Sequence, residues 1–527
     1  MAESAPQQQS NRPSSGLERW LNSIGDSNLI WILLGLALIV HGYNMFRYPL
    51  YLGDEGIYME QAWAVLREGR LSPYTYFYDH APLGWMVIAW WVMLLPGKFL
   101  TFGPAINSGR VLMLIVHLAS VVLLYKVTKR LSGSDAASFI AVLVFSLSPL
   151  SVYYQRMVLL DNLMVFWVLL AMYAVLYDAN RLLTILGSAV AFAFATLSKE
   201  NAIFFAPVLL YLIYHSVRQT HRFRFALAGW VVTSILVISF YPMYALLKSE
   251  LFPAGTLELF NGAPSQHVSL ISTLLWQMGR TGGSILDPHG EFWFYFWGQW
   301  WPRDGLIIIA GTVGTGLNLL IWWTNPRRYR GYFIAAAMSL AFGFYLVRGS
   351  VMIEFYIVPI LPFLGMNAGM ASAFVLDRIP VWLGGPGLLL LAGGLSVAFL
   401  FVGRDAFRLD LTALQAEQLA YVRQNIPADA VMIVDDDLWV DLHEAPKGMP
   451  VYPYAESHWK VQSDPAIRDT LLHNDYRNVD YFIKSNKMET ALERNNSDFV
   501  IQALQNSTLL QKFTAGQVEL EVRKIDK

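Results

Sequence analysis

The run NLIWILLGLALIVHGYNMF, Asn28–Phe46, is followed after RYPL by YLGDEGIY, Tyr51–Tyr58. The first stretch is apolar enough to cross a hydrocarbon core of about 30 Å as a helix. The second places two adjacent carboxylates, Asp54 and Glu55, where the chain leaves the lipid, a depth at which ionisable side chains are rare and usually functional. Whether the pair caps a helix or reacts depends on what else the chain brings to the same depth.

Apolar runs of similar length recur at 28–48, 106–127, 134–152, 160–178, 182–197, 201–216, 225–247, 304–323, 331–347, 352–375 and 383–402. They predict a polytopic α-helical membrane protein with about 11 spans plus interfacial helices, which agrees with 55% hydrophobic and 15% charged residues among 527. Residues 82–103 are apolar too. There Trp85, Trp90 and Trp91 suit the interface, and Pro96-Gly97 ends the helix early, so this segment reads as lying in the membrane surface.

The loops Lys126–Arg130, Val217–Arg224 and Asn325–Arg330 are basic and separated by even numbers of spans, which assigns them to the cytoplasm. The polar N-terminus, residues 1–27, then reads as a disordered cytoplasmic tail, and residues 28–403 form the membrane domain, with outer loops at 51–105 and 248–303. Charge returns in 404–527, and helix-like QAEQLAYVRQNI and METALERNNSDFVIQAL alternate with strand-like AVMIVDD, VDYFIKS and QVELEVRKI. This predicts a soluble extracytoplasmic α/β accessory domain. Asp435-Asp436-Asp437, at a strand end, invites a metal-binding reading, but a solvated turn is the favoured one. A net charge of −1 without a basic stripe argues against a nucleic-acid partner, and the absence of cysteine excludes disulfides and thiolate metal sites.

With this orientation Arg156, Asp161, Lys199, Arg348, Glu354 and Tyr356 all fall at outer turns, and Asp54, Glu55, Tyr58, Asp79 and His80 join them in the first outer loop. Bland alternatives exist for each: an N-cap for Asp54, an interface salt bridge for Arg156 and Asp161, a solvated turn for Lys199, snorkelling for Arg348. Their convergence on one face favours a wet cavity near the membrane boundary. In the long outer loop, ISTLLWQMGR reads as an interfacial helix and FWFYFWGQWW as an aromatic belt.

The acidic pair opening the first outer loop, His80-Ala81-Pro82-Leu83 before the interfacial helix, and Arg156 followed by Leu159-Leu160-Asp161 resemble the motifs of the GT-C glycosyltransferases, specifically protein O-mannosyltransferases and lipid A aminoarabinose transferases. The likeness covers about residues 28–375. His80-Ala81 stands where the aminoarabinose transferases carry Lys before paired prolines, and the soluble repeat domains of the mannosyltransferases are missing. The resemblance implies a sugar donor on a polyprenyl phosphate and a glycan, lipid or protein acceptor at the membrane.

The chemistry of such a transfer needs a carboxylate to take the acceptor proton and positive charge to hold the leaving phosphate. Asp54, with Glu55 beside it, is the expected base, and Arg156 the first choice for the phosphate, with His80, Lys199 and Arg348 behind it. Asp161 is expected to orient Arg156 or hold sugar hydroxyls, and Asp79, Tyr58, Glu354 and Tyr356 complete the donor-binding set. Direct displacement inverts the anomeric centre. A divalent metal at these carboxylates is compatible with the reading, although no ligand spacing demands one. The alternative is a transporter or flippase of lipid-linked sugars, which would favour midplane charges and internal repeats over charges at one face.

Overall fold

The computed structural model describes residues 25–179, 181–253, 268–485, 488, 492, 498–516 and 518–527. Residues 1–24 of the expected tail, 254–267 of the long loop, and 489–491 and 493–497 of the helix expected over 488–504 lie outside the described residues.

Among the described residues eight helices are long and apolar enough to cross a membrane: Ala105–Ser132, Leu160–Tyr177, Glu200–Val217, Phe223–Leu247, Glu291–Thr324, Arg330–Val347, Glu354–Leu376 and Leu383–Val402. Each coincides with an expected span. The other three expected spans fall on the shorter apolar helices Asn28–Gly42 and Leu182–Ser198 and on the pair Asp135–Leu147 and Pro149–Gln155, bent by 63°. The bend has a local cause: Ser148 caps the second helix by accepting from Ser151 N at 3.3 Å, and Pro149 takes its first position, where no amide is needed. Leu83–Leu94 has 12 residues, about 18 Å at 1.5 Å per residue, too short to cross unaided.

Close approach holds the bundle together. A Cβ on Gly369 would stand 2.4 Å from the Ala137 carbonyl oxygen, and one on Gly365 would stand 2.9 Å from that of Ala141. Small residues four apart on both helices let the Leu361–Leu376 and Asp135–Leu147 backbones touch, as van der Waals packing in lipid requires. Asn367 on the same helix adds polar contacts, donating to Ser339 Oγ at 2.9 Å and accepting from Asn318 Nδ2 at 2.7 Å.

The C-terminal domain contains a five-stranded sheet in the order β2-β1-β3-β5-β4, from β1 (Met432–Val434), β2 (Ala455–Ser457), β3 (Tyr481–Ser485), β4 (Ser507–Ala515) and β5 (Val518–Ile525). β1 pairs in parallel with β2 and β3, whereas β5 runs antiparallel to β3 and β4. Three of these strands were legible in the sequence. β2 has only three residues and β4 is mostly exposed, so neither carries a buried alternating pattern.

This domain sits directly on the first loop, whose helix spans Gly53–Arg67. Glu444 takes a two-pronged contact from Arg67 at 2.6 and 2.8 Å and accepts from Trp63 Nε1 at 2.9 Å. Asp441 accepts from the amide of Ala105 at 3.1 Å and so caps a long apolar helix of the bundle from outside it. A Cβ on Gly56 would stand 2.1 Å from the Asp436 carbonyl oxygen, so only glycine lets the two backbones meet. The solvated turn expected at Asp435-Asp436-Asp437 is therefore corrected. The three side chains are 8%, 3% and 6% exposed, because the Asp436–His443 helix that they begin is pressed against the first-loop helix.

Candidate active site

The first-loop helix begins with Gly53, Asp54 and Glu55, and its rotation of about 100° per residue sends the two carboxylates to different places. Glu55 is fully buried. It receives Arg110 Nη2 at 2.7 Å and Nε at 3.0 Å, and the amides of Val158 at 2.9 Å and Leu52 at 3.2 Å. The capping contact offered as the bland alternative for Asp54 is made by Glu55 instead, and the placing of Glu55 beside Asp54 as a catalytic residue is corrected: its acceptor capacity is committed to the scaffold. Arg110 completes the knot by donating to the carbonyls of Met45 and Pro49, both at 2.9 Å.

Asp54, half-buried, accepts no hydrogen bond among the described residues. Burial raises its carboxyl to about 6, Lys199 and His80 pull it back down, and Asp436 and Glu354 push it up. Tyr58, one turn on, is 3% exposed, and its ring centroid lies 6.4 Å from that of His80. Burial and the nearby Asp54 hold its hydroxyl well above the ordinary range.

The two groups that restrain Asp54, Lys199 and His80, line a cavity of about 600 Å³ together with Asp79, Arg280, Arg348 and Tyr356. Lys199 pairs with Asp161 at 2.6 Å and stands over the rings of Phe355 and Tyr356 at 4.7 and 5.1 Å. Arg348 lies over the Tyr345 ring at 3.7 Å and donates to that residue's carbonyl at 2.6 Å. Arg280 lies over Trp276 at 4.7 Å and donates to Gln277 Oε1 at 3.1 Å. Neither guanidinium is paired with a carboxylate among the described residues, so both can receive an anion. His80 Nδ1 contacts Glu200 Oε2 at 3.1 Å; burial opposes its charge, and Glu200 overcomes that and raises its pKa. Asp79 also borders a second cavity, lined by Phe77, Trp276, His458 and Trp459. Glu354 acts on Asp54 through its charge, and its main-chain carbonyl accepts from Trp300 Nε1 at 2.6 Å.

Arg156 is the main correction. It does not meet Asp161 or the cavity. Its guanidinium donates to the carbonyls of Val40 at 2.7 Å, Tyr43 at 2.9 Å, and Tyr48 and Ala406 at 3.2 Å. The first two are carbonyls that the end of the Asp26–Gly42 helix leaves without intrahelical partners, and a buried cation satisfies them. Asp161 turns to Lys199 instead.

Sequence reasoning passed over three residues. Arg110 is hidden in an apolar span, Glu200 adjoins the named Lys199, and Arg280 ends the interfacial helix Leu270–Gly279. The only sequence signal for Arg280 is a lone cation after an amphipathic stretch. The aromatic run 292–301 stays out of the cavity wall, with Phe294 and Trp297 54% and 56% exposed. A possible cation cluster lies elsewhere: Asp435, Asp436 and His458 bring ligand atoms within 4.8 Å of one another.

Residues 79–243 match the family described as dolichyl-phosphate-mannose-protein mannosyltransferase. No curated protein matches by sequence. Among solved structures the chain is similar to ArnT from Cupriavidus metallidurans bound to undecaprenyl phosphate, with a TM-score of 0.59 and 14% identity over 94% of this chain and 98% of that one. It is also similar to the oligosaccharyltransferase AglB from Archaeoglobus fulgidus in complex with an inhibitory peptide and a dolichol-phosphate, with a TM-score of 0.55 and 10% identity over 95% of this chain and 74% of that one. The chain therefore has the GT-C fold and resembles the protein O-mannosyltransferases and the aminoarabinose transferases.

Proposed function

We propose that the chain is a membrane glycosyltransferase that moves a sugar from a polyprenyl-phosphate donor to an acceptor hydroxyl or phosphate on the extracytoplasmic side, with inversion. One observation carries this reading: Asp54, with no hydrogen-bond partner among the described residues, lies within electrostatic reach of Lys199, which lines a cavity where Arg280 and Arg348 have no carboxylate partner among them. For a hydroxyl acceptor, Asp54 takes the proton as the oxygen attacks the anomeric carbon. The bond from that carbon to the phosphate oxygen breaks, and the polyprenyl phosphate leaves with the electron pair. Lys199, Arg280 and Arg348 stabilise the charge that develops there, and no acid is needed because the phosphate is already a stable anion. Asp161 holds Lys199 in position, and Tyr356 and Asp79 face the sugar.

The structural neighbours support the donor class, since ArnT is bound to undecaprenyl phosphate and AglB to a dolichol-phosphate. The test is mass spectrometry of products after incubating the purified protein in lipid with a panel of polyprenyl-phosphate sugars and glycan, lipid and peptide acceptors. Product that forms with wild type and is lost with Asp54→Asn supports the reading. Sugar-lipid that only crosses the bilayer, with no new glycosidic or phosphodiester bond, would mean a flippase.

A further inference from the structure

We propose that the C-terminal domain carries a divalent-cation site built from Asp435, Asp436 and His458. The sheet topology brings them together. β1 has parallel neighbours on both sides, β2 and β3, and the chain leaves β1 in one direction and returns to its other side, so a crevice opens at the carboxyl ends of these strands. Asp435 and Asp436 follow β1, and His458 follows β2. One ligand atom from each lies within 4.8 Å of the others, a spread that a single ion with bonds of about 2.0–2.2 Å can bridge with small side-chain adjustments.

His458 supplies the independent observation. It is 8% exposed, and its buried Nδ1 has no hydrogen-bond partner among the described residues. A buried ring nitrogen left this way is costly unless something binds it. The carboxylates, by contrast, are already oriented by outer contacts of the kind that surround metal ligands. Asp436 Oδ1 accepts from Trp459 Nε1 at 2.8 Å and from Ser457 Oγ, and Asp435 Oδ2 accepts from Ser485 Oγ.

The local charge points the same way. Glu60 of the first-loop helix, 1% exposed, adds its carboxyl group to the wall, with Oε1 2.8 Å from the same Ser457 Oγ, whose single proton Glu60 and Asp436 must share. Lys460 is the nearby cation, but its ammonium donates to the Thr75 carbonyl at 3.0 Å and stands over the rings of Phe77 and Trp459 at 3.9 and 4.1 Å. Buried carboxyl groups held this close are satisfied only by a counter-charge or a shared proton, and a cation supplies the first. An entry path exists, because His458 also lines the open cavity of about 530 Å³ that it shares with Asp79 and Trp276. Two carboxylates and an imidazole suit Mn²⁺ or Zn²⁺ better than Mg²⁺ or Ca²⁺, which favour all-oxygen shells. A Cβ on Gly53 would lie 3.5 Å from Asp435 Oδ1, so the ion would sit against the helix that bears Asp54 and tie the two domains together. The site does not depend on the transfer reading.

The test uses the full chain in lipid nanodiscs, stripped with a chelator and titrated with Mn²⁺ alone under electron paramagnetic resonance, with Zn²⁺ as competitor. The expected result is one saturable Mn²⁺ site that Zn²⁺ displaces, with nitrogen modulation from a coordinated imidazole in the wild-type spectrum. His458→Gln and Asp435→Asn should each weaken binding at least about tenfold, while His473→Gln, at an exposed position, should bind as wild type. Absence of saturable binding of either ion overturns the proposal. So does a Mn²⁺ spectrum without imidazole nitrogen, a readout on wild type that stands even if the variants fail to fold.

Discussion

Asp54 and Glu55 share a peptide bond yet belong to two unlike regions. Glu55 enters a closed polar knot in which Arg110 and two amides use its oxygens, and Arg156 nearby does the same for main-chain carbonyls. Asp54 accepts no hydrogen bond among the described residues, and in the cavity lined by Lys199 and His80, the groups that act on it, Arg280 and Arg348 have only neutral partners among them. The knot holds charge by exhausting it, whereas the cavity keeps charge available. A charged residue at a membrane boundary can serve either purpose, and its partners decide which.

Breaking the knot should have the largest effect. Arg110→Ala leaves a fully buried Glu55 without its partner, and removal of one member of such a pair costs about 3–5 kcal/mol. The expected outcome is loss of monodisperse protein in fluorescence-detected gel filtration, with partial recovery in Arg110→Met/Glu55→Leu. Recovery of transfer along with folding would also show that Glu55 takes no part in the chemistry.

The next effect belongs to the cavity. Asp54→Asn should leave the melting temperature within error of wild type while transfer falls by about 10²-fold or more, since the amide cannot accept a proton. If melting falls together with activity, Asp54 belongs to the scaffold and the contrast collapses.

Two arginines sharpen the comparison. Arg156→Ala is expected to lower stability by about 1–3 kcal/mol through unsatisfied carbonyls, with the donor KM unchanged. Arg280→Ala should do the reverse, raising the donor KM about tenfold through loss of a charge-assisted contact and leaving the melting temperature alone. Both are read from paired thermal unfolding and initial-rate measurements, and the same response in both variants would erase the distinction.

The smallest effect is a pH profile. A base with its carboxyl raised to about 6 is protonated and inactive below that value, so kcat/KM should rise with pH, reach half its limit near 6 and stay flat above. The limb should vanish from the residual activity of Asp54→Asn.

The spans were legible because length and apolar content alone decide whether a helix can cross lipid, and the charged residues at the turns were legible because charge is conspicuous there. Lys199, His80, Asp79, Arg348 and Tyr356 do come to one cavity. What sequence could not convey was direction. Arg156 and Asp161 are five residues apart, but a break in the helix between them gives each a different partner. Arg110, inside an apolar run, had no visible reason to be charged until Glu55 was found against it. The buried aspartates at 435–437 looked solvated because their cover, Gly53 and Gly56, lies at the far end of the chain.

That separation along the chain also sets an order in time. Ala105 and the Asp441 that caps it are 336 positions apart, and β5, which completes the sheet, ends at Ile525. During synthesis the acidic pair emerges long before its cover. Membrane helices are inserted while the first loop still lacks its support, so a ribosome-bound or prematurely stopped polypeptide already carries Asp54 on an unfinished surface. A chain stopped before Asp441 therefore lacks the contacts that cover the first-loop helix and cap the Ala105–Ser132 helix.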